Sequence, residues 1–140
     1  MIKNERQYKI TKSQIAKFEA ALDELTARSG AKSRLRQLEE DALRSQLDEL
    51  RHEVERYERL RSGGRKTIHI DSLDELPRAL VDARIVAGLS QKELAERLDL
   101  KEQQIQRYEA TDYCSASLTR LKEVAKALGV NIAGEMTYSG

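Results

Sequence analysis

Leu89–Ala110, LSQKELAERLDLKEQQIQRYEA, is the stretch on which the reading of this chain turns. Ser90 is a good helix N-cap, because its hydroxyl accepts from an unpaired first-turn N–H, and Glu93 three residues on completes a capping box. Leu94, Ala95 and Leu98 then form one apolar stripe at helical spacing. Asp99-Leu100 breaks that pattern, and a second short helix runs from Lys101 to about Ala110, with Ile105 turned inward. The intervening turn is too short for anything but a bent helix pair, and a small residue such as Ala95 at the crossing lets the two helices approach closely.

This is the sequence form of a helix-turn-helix, whose second helix can enter the major groove of DNA. Leu80–Val130 resembles the Cro/repressor-type (XRE) helix-turn-helix family. The matching residues are Ala83-Arg84-Ile85, Gly88-Leu89-Ser90-Gln91, Glu93-Leu94-Ala95, Ile105, Tyr108-Glu109 and Leu121 through Val130. The likeness covers a little over a third of the chain and is specific, because several spacings agree at once. It implies a five-helix domain over residues 78–130. Asp99 stands where the family usually has a turn glycine, but Asp tolerates a left-handed backbone better than most residues. The loop Thr111–Ala116 is longer and less glycine-rich than in many members.

With Ile105 inward, the opposite face of the second helix carries Gln103, Gln106, Arg107 and Ala110, flanked by Glu102 and Gln104. Gln pairs with adenine N6 and N7, Arg with guanine O6 and N7, and Glu accepts from cytosine N4. Alignment with the similar repressors implies base reading by Glu102, Gln103 and Arg107, with Gln106 near the rim. The bland reading is an ordinary solvated helix face. Gln91 and its neighbouring N–H groups are expected on a phosphate, with Lys92 and Lys101 as further ligands. Simple helix solvation is the alternative for Gln91, and capping accounts for Ser117. The resemblance also implies a partly buried salt bridge between Arg84 and Glu109, with Arg84 placed to reach a phosphate as well. Tyr108 is expected half-buried.

The chain has 140 residues, 35% of them charged and 4% aromatic, a bias typical of helical chains. It suits one small domain plus an extension. Paired glycines at Ser62-Gly63-Gly64 mark a boundary. Residues 1–62 read as a helical hairpin or coiled coil, 63–77 as a linker, 78–130 as the helix-turn-helix domain and 131–140 as a tail. In the first segment Ile15, Phe18, Leu22 and Leu25 repeat at 3-4-3 spacing, capped by Thr11 or Ser13 and ended by Ser29-Gly30. A second helix, from about Lys32 to Arg61, would be about 45 Å long. Its drifting stripe is Leu35, Leu38, Ala42, Leu43, Leu47, Leu50, Val54, Tyr57 and Leu60. An 18-residue neighbour cannot cover it, so Leu43, Leu47, Leu50, Val54 and Tyr57 are expected to face a second copy of the chain. A docking surface for another protein and a plain solvated helix are the other readings.

Net charge is +1, with 14 Lys/Arg against 12 Asp/Glu in residues 1–64 and 11 against 12 in residues 65–140. The half expected to meet DNA is thus slightly acidic, with Asp71, Asp74, Glu75 and Asp82 clustered at its start, whereas phosphate neutralisation favours a basic footprint. Lys3, Arg6, Lys9, Lys12 and Lys17, against Glu5 alone in the first seventeen residues, form a basic arm suited to phosphates or simply to solvent. Lys66–Ile70 and Asn131–Tyr138 alternate polar and apolar residues, as two short strands that pair would. Leu73 and Leu76 are expected in the helical core, and Pro77 suits a first helical turn.

Enzymatic readings fail for lack of parts. His52 and His69 are isolated, Cys114 has no metal-ligand spacing to either, and no phosphate-cradling glycine loop exists, so neither metal nor cofactor is expected. One cysteine allows no internal disulfide, no apolar run is long enough to span a bilayer, and the first residues lack a secretory core; the cytoplasm is the expected compartment. The resemblance therefore implies a homodimeric repressor on an operator in double-stranded DNA. A similar antitoxin that also neutralises a partner toxin is the alternative.

Overall fold

The computed structural model describes residues 1–28, 33–64 and 67–140. They are mainly helical, and form two compact units, Met1–Ser62 and Gly63–Gly140. Among the described residues no helix is long and apolar enough to cross a membrane.

In the N-terminal unit, α1 (Glu5–Ala27) and α2 (Arg34–Arg61) pack as an antiparallel hairpin. The start of α1 lies six residues upstream of the expected Thr11 cap. Asn4 Oδ1 accepts from the Gln7 N–H at 2.8 Å, and Gln7 Oε1 accepts from the Lys3 N–H at 2.8 Å. Thr11 is instead a buried interior residue whose hydroxyl donates to the Gln7 carbonyl. Ser33 caps α2 by accepting from the Arg36 N–H. The expected terminator Ser29-Gly30 and the Lys32 start lie outside the described residues.

The longer α1 changes what covers α2. Leu47, Tyr57 and Leu60 are buried, as are Tyr8 and Leu25 of α1, and full burial of each such side chain contributes roughly 1.5–3 kcal/mol. Tyr8 and Tyr57 meet with ring centroids 5.2 Å apart, and the Tyr8 hydroxyl donates to Glu58. Of the residues expected at a seam with a second copy, Leu47 and Tyr57 are therefore spent within the chain, while Leu43, Leu50 and Val54 are half-buried. Leu35 and Leu38 stay 67% and 55% exposed. A repeat nearer 3.5 than 3.6 residues drifts about 20° per heptad around a straight helix, which carries the start of the stripe off the packed face. At the far end of the hairpin, Arg36 Nη2 donates to the carbonyls of Leu25, Thr26 and Arg28, closing the C-terminus of α1.

The C-terminal unit begins with one turn of 3₁₀ helix (Leu73–Glu75), followed by α3 (Leu76–Val86), α4 (Gln91–Arg97), α5 (Glu102–Ala110) and α6 (Leu118–Leu128). Four α-helices stand where five were expected, because residues 111–115 form consecutive turns. The core comprises Leu80, Val81, Ile85, Leu94, Ala95, Ile105, Tyr113 and Val124. Pro77 lies in the first turn of α3, but Leu73 is 76% exposed: only Leu76 of the expected pair is buried. Arg97 ties α4 to α6 by donating to the Ala127 carbonyl at 2.9 Å.

The expected strand pairing is absent: no strand occurs among the described residues, and Lys66 lies outside them. Ile132, Met136 and Tyr138 are 49%, 102% and 92% exposed. A two-stranded ribbon is marginal without an apolar surface to pack on, and here the tail has none.

Candidate nucleic-acid interface

The bent helix pair is built by two caps and one unusual turn. Ser90 Oγ accepts from the Glu93 N–H at 3.0 Å, and Glu93 Oε2 accepts from the Ser90 N–H at 3.2 Å, so both arms of the capping box form. After α4, Asp99 takes φ +56°, and the Leu100 N–H closes back on the Ala95 carbonyl at 2.8 Å. The non-glycine turn residue thus adopts the left-handed conformation the geometry needs. At the start of α5, Gln104 Oε1 accepts from the Lys101 N–H at 2.9 Å, so this side chain is committed to its own helix. Ala95 and Ile105, 1% and 0% exposed, are buried in the C-terminal unit, where α4 packs on α5.

Glu109 is 0% exposed and anchors the far end of α5. It accepts from Arg84 Nε at 2.6 Å, from Arg84 Nη2 at 2.8 Å and from Gln91 Nε2 at 2.9 Å. Arg84 Nη1 also donates to the Leu89 carbonyl at 2.8 Å. One carboxylate thereby joins the end of α3, the start of α4 and the end of α5.

This cluster bears on two expected phosphate contacts. Arg84, 3% exposed, is bonded to Glu109 and to the Leu89 carbonyl, the structural role the resemblance implies. Gln91, 5% exposed, turns its amide inward rather than out to a ligand. Both follow from one cause: a buried carboxylate requires several donors, and these are the donors within reach.

The outer row of α5 is different. Glu102, Gln103, Gln106 and Arg107 are all exposed, as are Lys92 and Lys101. Gln106 Nε2 lies 3.5 Å from Glu102 Oε1, a spacing that leaves both free to be drawn to other partners. Among the described residues no carboxylate is bonded to Arg107. The opposite faces of α5 are thus sorted: inward groups are fully engaged and outward groups carry amide, carboxylate and guanidinium chemistry into solvent.

Sequence reasoning missed Tyr113. It is buried, with φ +55° directly after Asp112 at φ +48°, and its ring stacks on Tyr108 with centroids 5.5 Å apart. Burial, and after it the nearby charge of Glu109, pushes its phenol well above the usual range, with Arg84 opposing. Tyr108 is half-buried as expected. Ser117 caps α6, its Oγ accepting from the Arg120 N–H at 3.1 Å, and Cys114 is exposed.

In comparison with known proteins, the helix-turn-helix family model aligns with residues 82–134, from within α3 through α6 into the tail. No curated protein and no solved structure matches the chain. Residues 82–134, with their capped bent helix pair and sorted α5 faces, thus match an XRE-type helix-turn-helix domain, which supports a DNA-binding regulator of that kind.

Proposed function

We propose that this protein is a cytoplasmic repressor that binds a palindromic or near-palindromic operator as a homodimer and silences transcription by occupying the promoter. Arg107 and Gln103 read base edges in the major groove, Glu102 and Gln106 complete the reading row, and Lys92 and Lys101 neutralise flanking phosphates. The observation that carries this reading is the sorting of α5, whose outer side chains are exposed while Ile105 and Glu109 are 0% exposed. A recognition helix held by buried contacts presents its outer row without rearrangement. Dimerisation through the N-terminal hairpin is supported by the half-buried Leu43, Leu50 and Val54 and the exposed Leu35 and Leu38. A dimer sets the half-site spacing at one helical turn of DNA or a multiple of it.

Unbiased selection of bound duplexes from a random library at physiological salt tests the reading. A two-fold symmetric consensus is the expected result; an enriched pool with no consensus overturns it. Sedimentation of the full chain tests the dimer, and a monomer at all working concentrations overturns that part.

The exposed apolar side chains of residues 131–140 favour a second reading, an antitoxin that uses the same domain to autoregulate and its tail to hold a partner toxin. Co-expression with the product of an adjacent reading frame tests it. A complex that survives removal of residues 131–140 counts against the tail.

A further inference from the structure

We infer that the outward face of α1 is a second, sequence-independent contact for the phosphate backbone of duplex DNA, made by Arg6, Lys9 and Lys17; this rests on the DNA-binding reading above. The run Arg6–Phe18 contains four cations and no acid. At about 100° per residue, Arg6, Lys9 and Lys17 fall within about 80° of one another around the helix axis. That sector lies opposite the side carrying Tyr8, Thr11, Ile15 and Leu22, which faces α2. All three cations are exposed.

The neighbouring charges are arranged so that these three stay available. Glu5 is held by Arg61 of α2 at 2.8 Å, and Glu19 by Arg51 of α2 at 3.1 Å. Lys12 leaves the row, with its ammonium 5.2 Å from the centre of the Tyr8 ring. Among the described residues no carboxylate is bonded to Arg6, Lys9 or Lys17, and the stripe ends where Glu24 enters the same sector. From Arg6 to Lys17 the axial rise is about 16 Å, against one phosphate per ~3.4 Å along each strand. The three cations can therefore meet separate phosphates.

Duplex DNA fits this face better than a membrane does. An interfacial helix must bury an apolar face in the lipid, and the apolar face of α1 is already packed on α2; outward, only Ile10, 48% exposed, is large and apolar. The stripe also supplies the basic footprint that residues 65–140 lack, with their 11 Lys/Arg against 12 Asp/Glu.

The experiment is the salt dependence of binding by the full chain, using both the selected operator and a random-sequence duplex. The triple variant Arg6→Gln, Lys9→Gln, Lys17→Gln keeps good helix formers at exposed positions. Its slope of log affinity against log salt is expected to be shallower by roughly 2 to 3 on both DNAs, at ~0.9 per phosphate neutralised. Its loss of affinity between 50 and 200 mM salt is then roughly 40-fold smaller than that of the parent chain. The matched variant Arg34→Gln, Arg44→Gln, Arg59→Gln removes the same charge from α2 and is expected to change the slope by less than about 1. An unchanged slope in the first variant, or an equal change in both, overturns the inference. So does loss of binding to phosphatidylserine vesicles by the first variant while its DNA slope is unchanged. If instead the parent chain selects no consensus, the operator reading fails while the slope on random duplex still decides the stripe.

Discussion

Glu109 and Arg84 meet in a two-point ion pair, Nε to Oε2 at 2.6 Å and Nη2 to Oε1 at 2.8 Å, between side chains 0% and 3% exposed. Removing one member leaves the other charge inside the fold, which commonly costs about 3–5 kcal/mol, whereas an apolar pair of similar volume is often neutral. Arg84→Met alone is therefore expected to destabilise the C-terminal unit by about that amount, and adding Glu109→Leu to recover most of the loss. Urea unfolding of the single and double variants checks this. A double variant as unstable as the single one would mean that Leu89 and Gln91, not the pair, carry the effect.

Gln91 separates a structural from a ligand-binding role. Its amide donates to Glu109 Oε1 at 2.9 Å and is 5% exposed. Loss of a hydrogen bond to a buried charge costs about 1.5–3 kcal/mol. Gln91→Leu is expected to lower the urea midpoint accordingly while leaving the salt slope of DNA binding within about 0.5 of the parent, since no phosphate contact by the side chain is removed. A slope reduced by about 1, with stability intact, would restore the phosphate role that the residue's place at the helix start suggested.

How much was legible follows from where each signal resides. Ser90 and Glu93 announce α4 because both halves of a capping box lie within four residues. Ile105 and the outer row of α5 follow from helical periodicity in the same way. The inward orientation of the Gln91 amide is not legible, because it is set by Glu109, eighteen residues on and unreachable by local spacing. The start of α1 lies upstream of what the apolar repeat of Ile15, Phe18, Leu22 and Leu25 announces, because its first buried residues, Tyr8 and Thr11, do not extend that repeat. Tyr113 was invisible for another reason: two successive left-handed non-glycine residues have no composition signature, and only the ring's place against Tyr108 accounts for them.

Tyr113 makes stability depend on alkaline pH. Its folded-state phenol is raised, by burial first and by Glu109 second, while in the unfolded chain it ionises near about 10. The folded form thus holds the proton more tightly. The associated stability is fully present below about pH 10 and falls as pH rises above it, by at most ~1.4 kcal/mol per pH unit. Urea midpoints at about pH 8, 9.5 and 11 for the parent and for Tyr113→Phe check the sign. The variant is expected to lose less stability over the last step; parallel curves would assign the alkaline loss to other groups.

Arg36 offers a test confined to the hairpin. One Nη2 reaches the carbonyls of Leu25, Thr26 and Arg28 at 2.6, 3.3 and 2.8 Å, satisfying acceptors that the last turn of α1 leaves open. Arg36→Met keeps the aliphatic stem and removes the donors, so about 2 kcal/mol of stability should be lost. The loss should appear as faster amide exchange in the last turn of α1. Protection unchanged there would show that solvent replaces the guanidinium at no cost.

Arg107 decides whether the outer row of α5 reads sequence or only carries charge. It is exposed, one turn before the end of the helix, and on the face opposite Ile105. A bidentate contact to guanine O6 and N7 discriminates by ~1–3 kcal/mol, whereas a phosphate contact weakens all sequences alike. Arg107→Ala is therefore expected to abolish preference at one base position of each half-site, by roughly 5- to 150-fold in relative affinity, and to leave the remaining consensus intact. Because the side chain is solvent-facing, the unfolding midpoint should not move, which separates lost reading from lost structure. Uniform weakening across the selected pool, with a salt slope reduced by about 1, would instead place Arg107 on the backbone and leave Gln103 and Glu102 as the base readers.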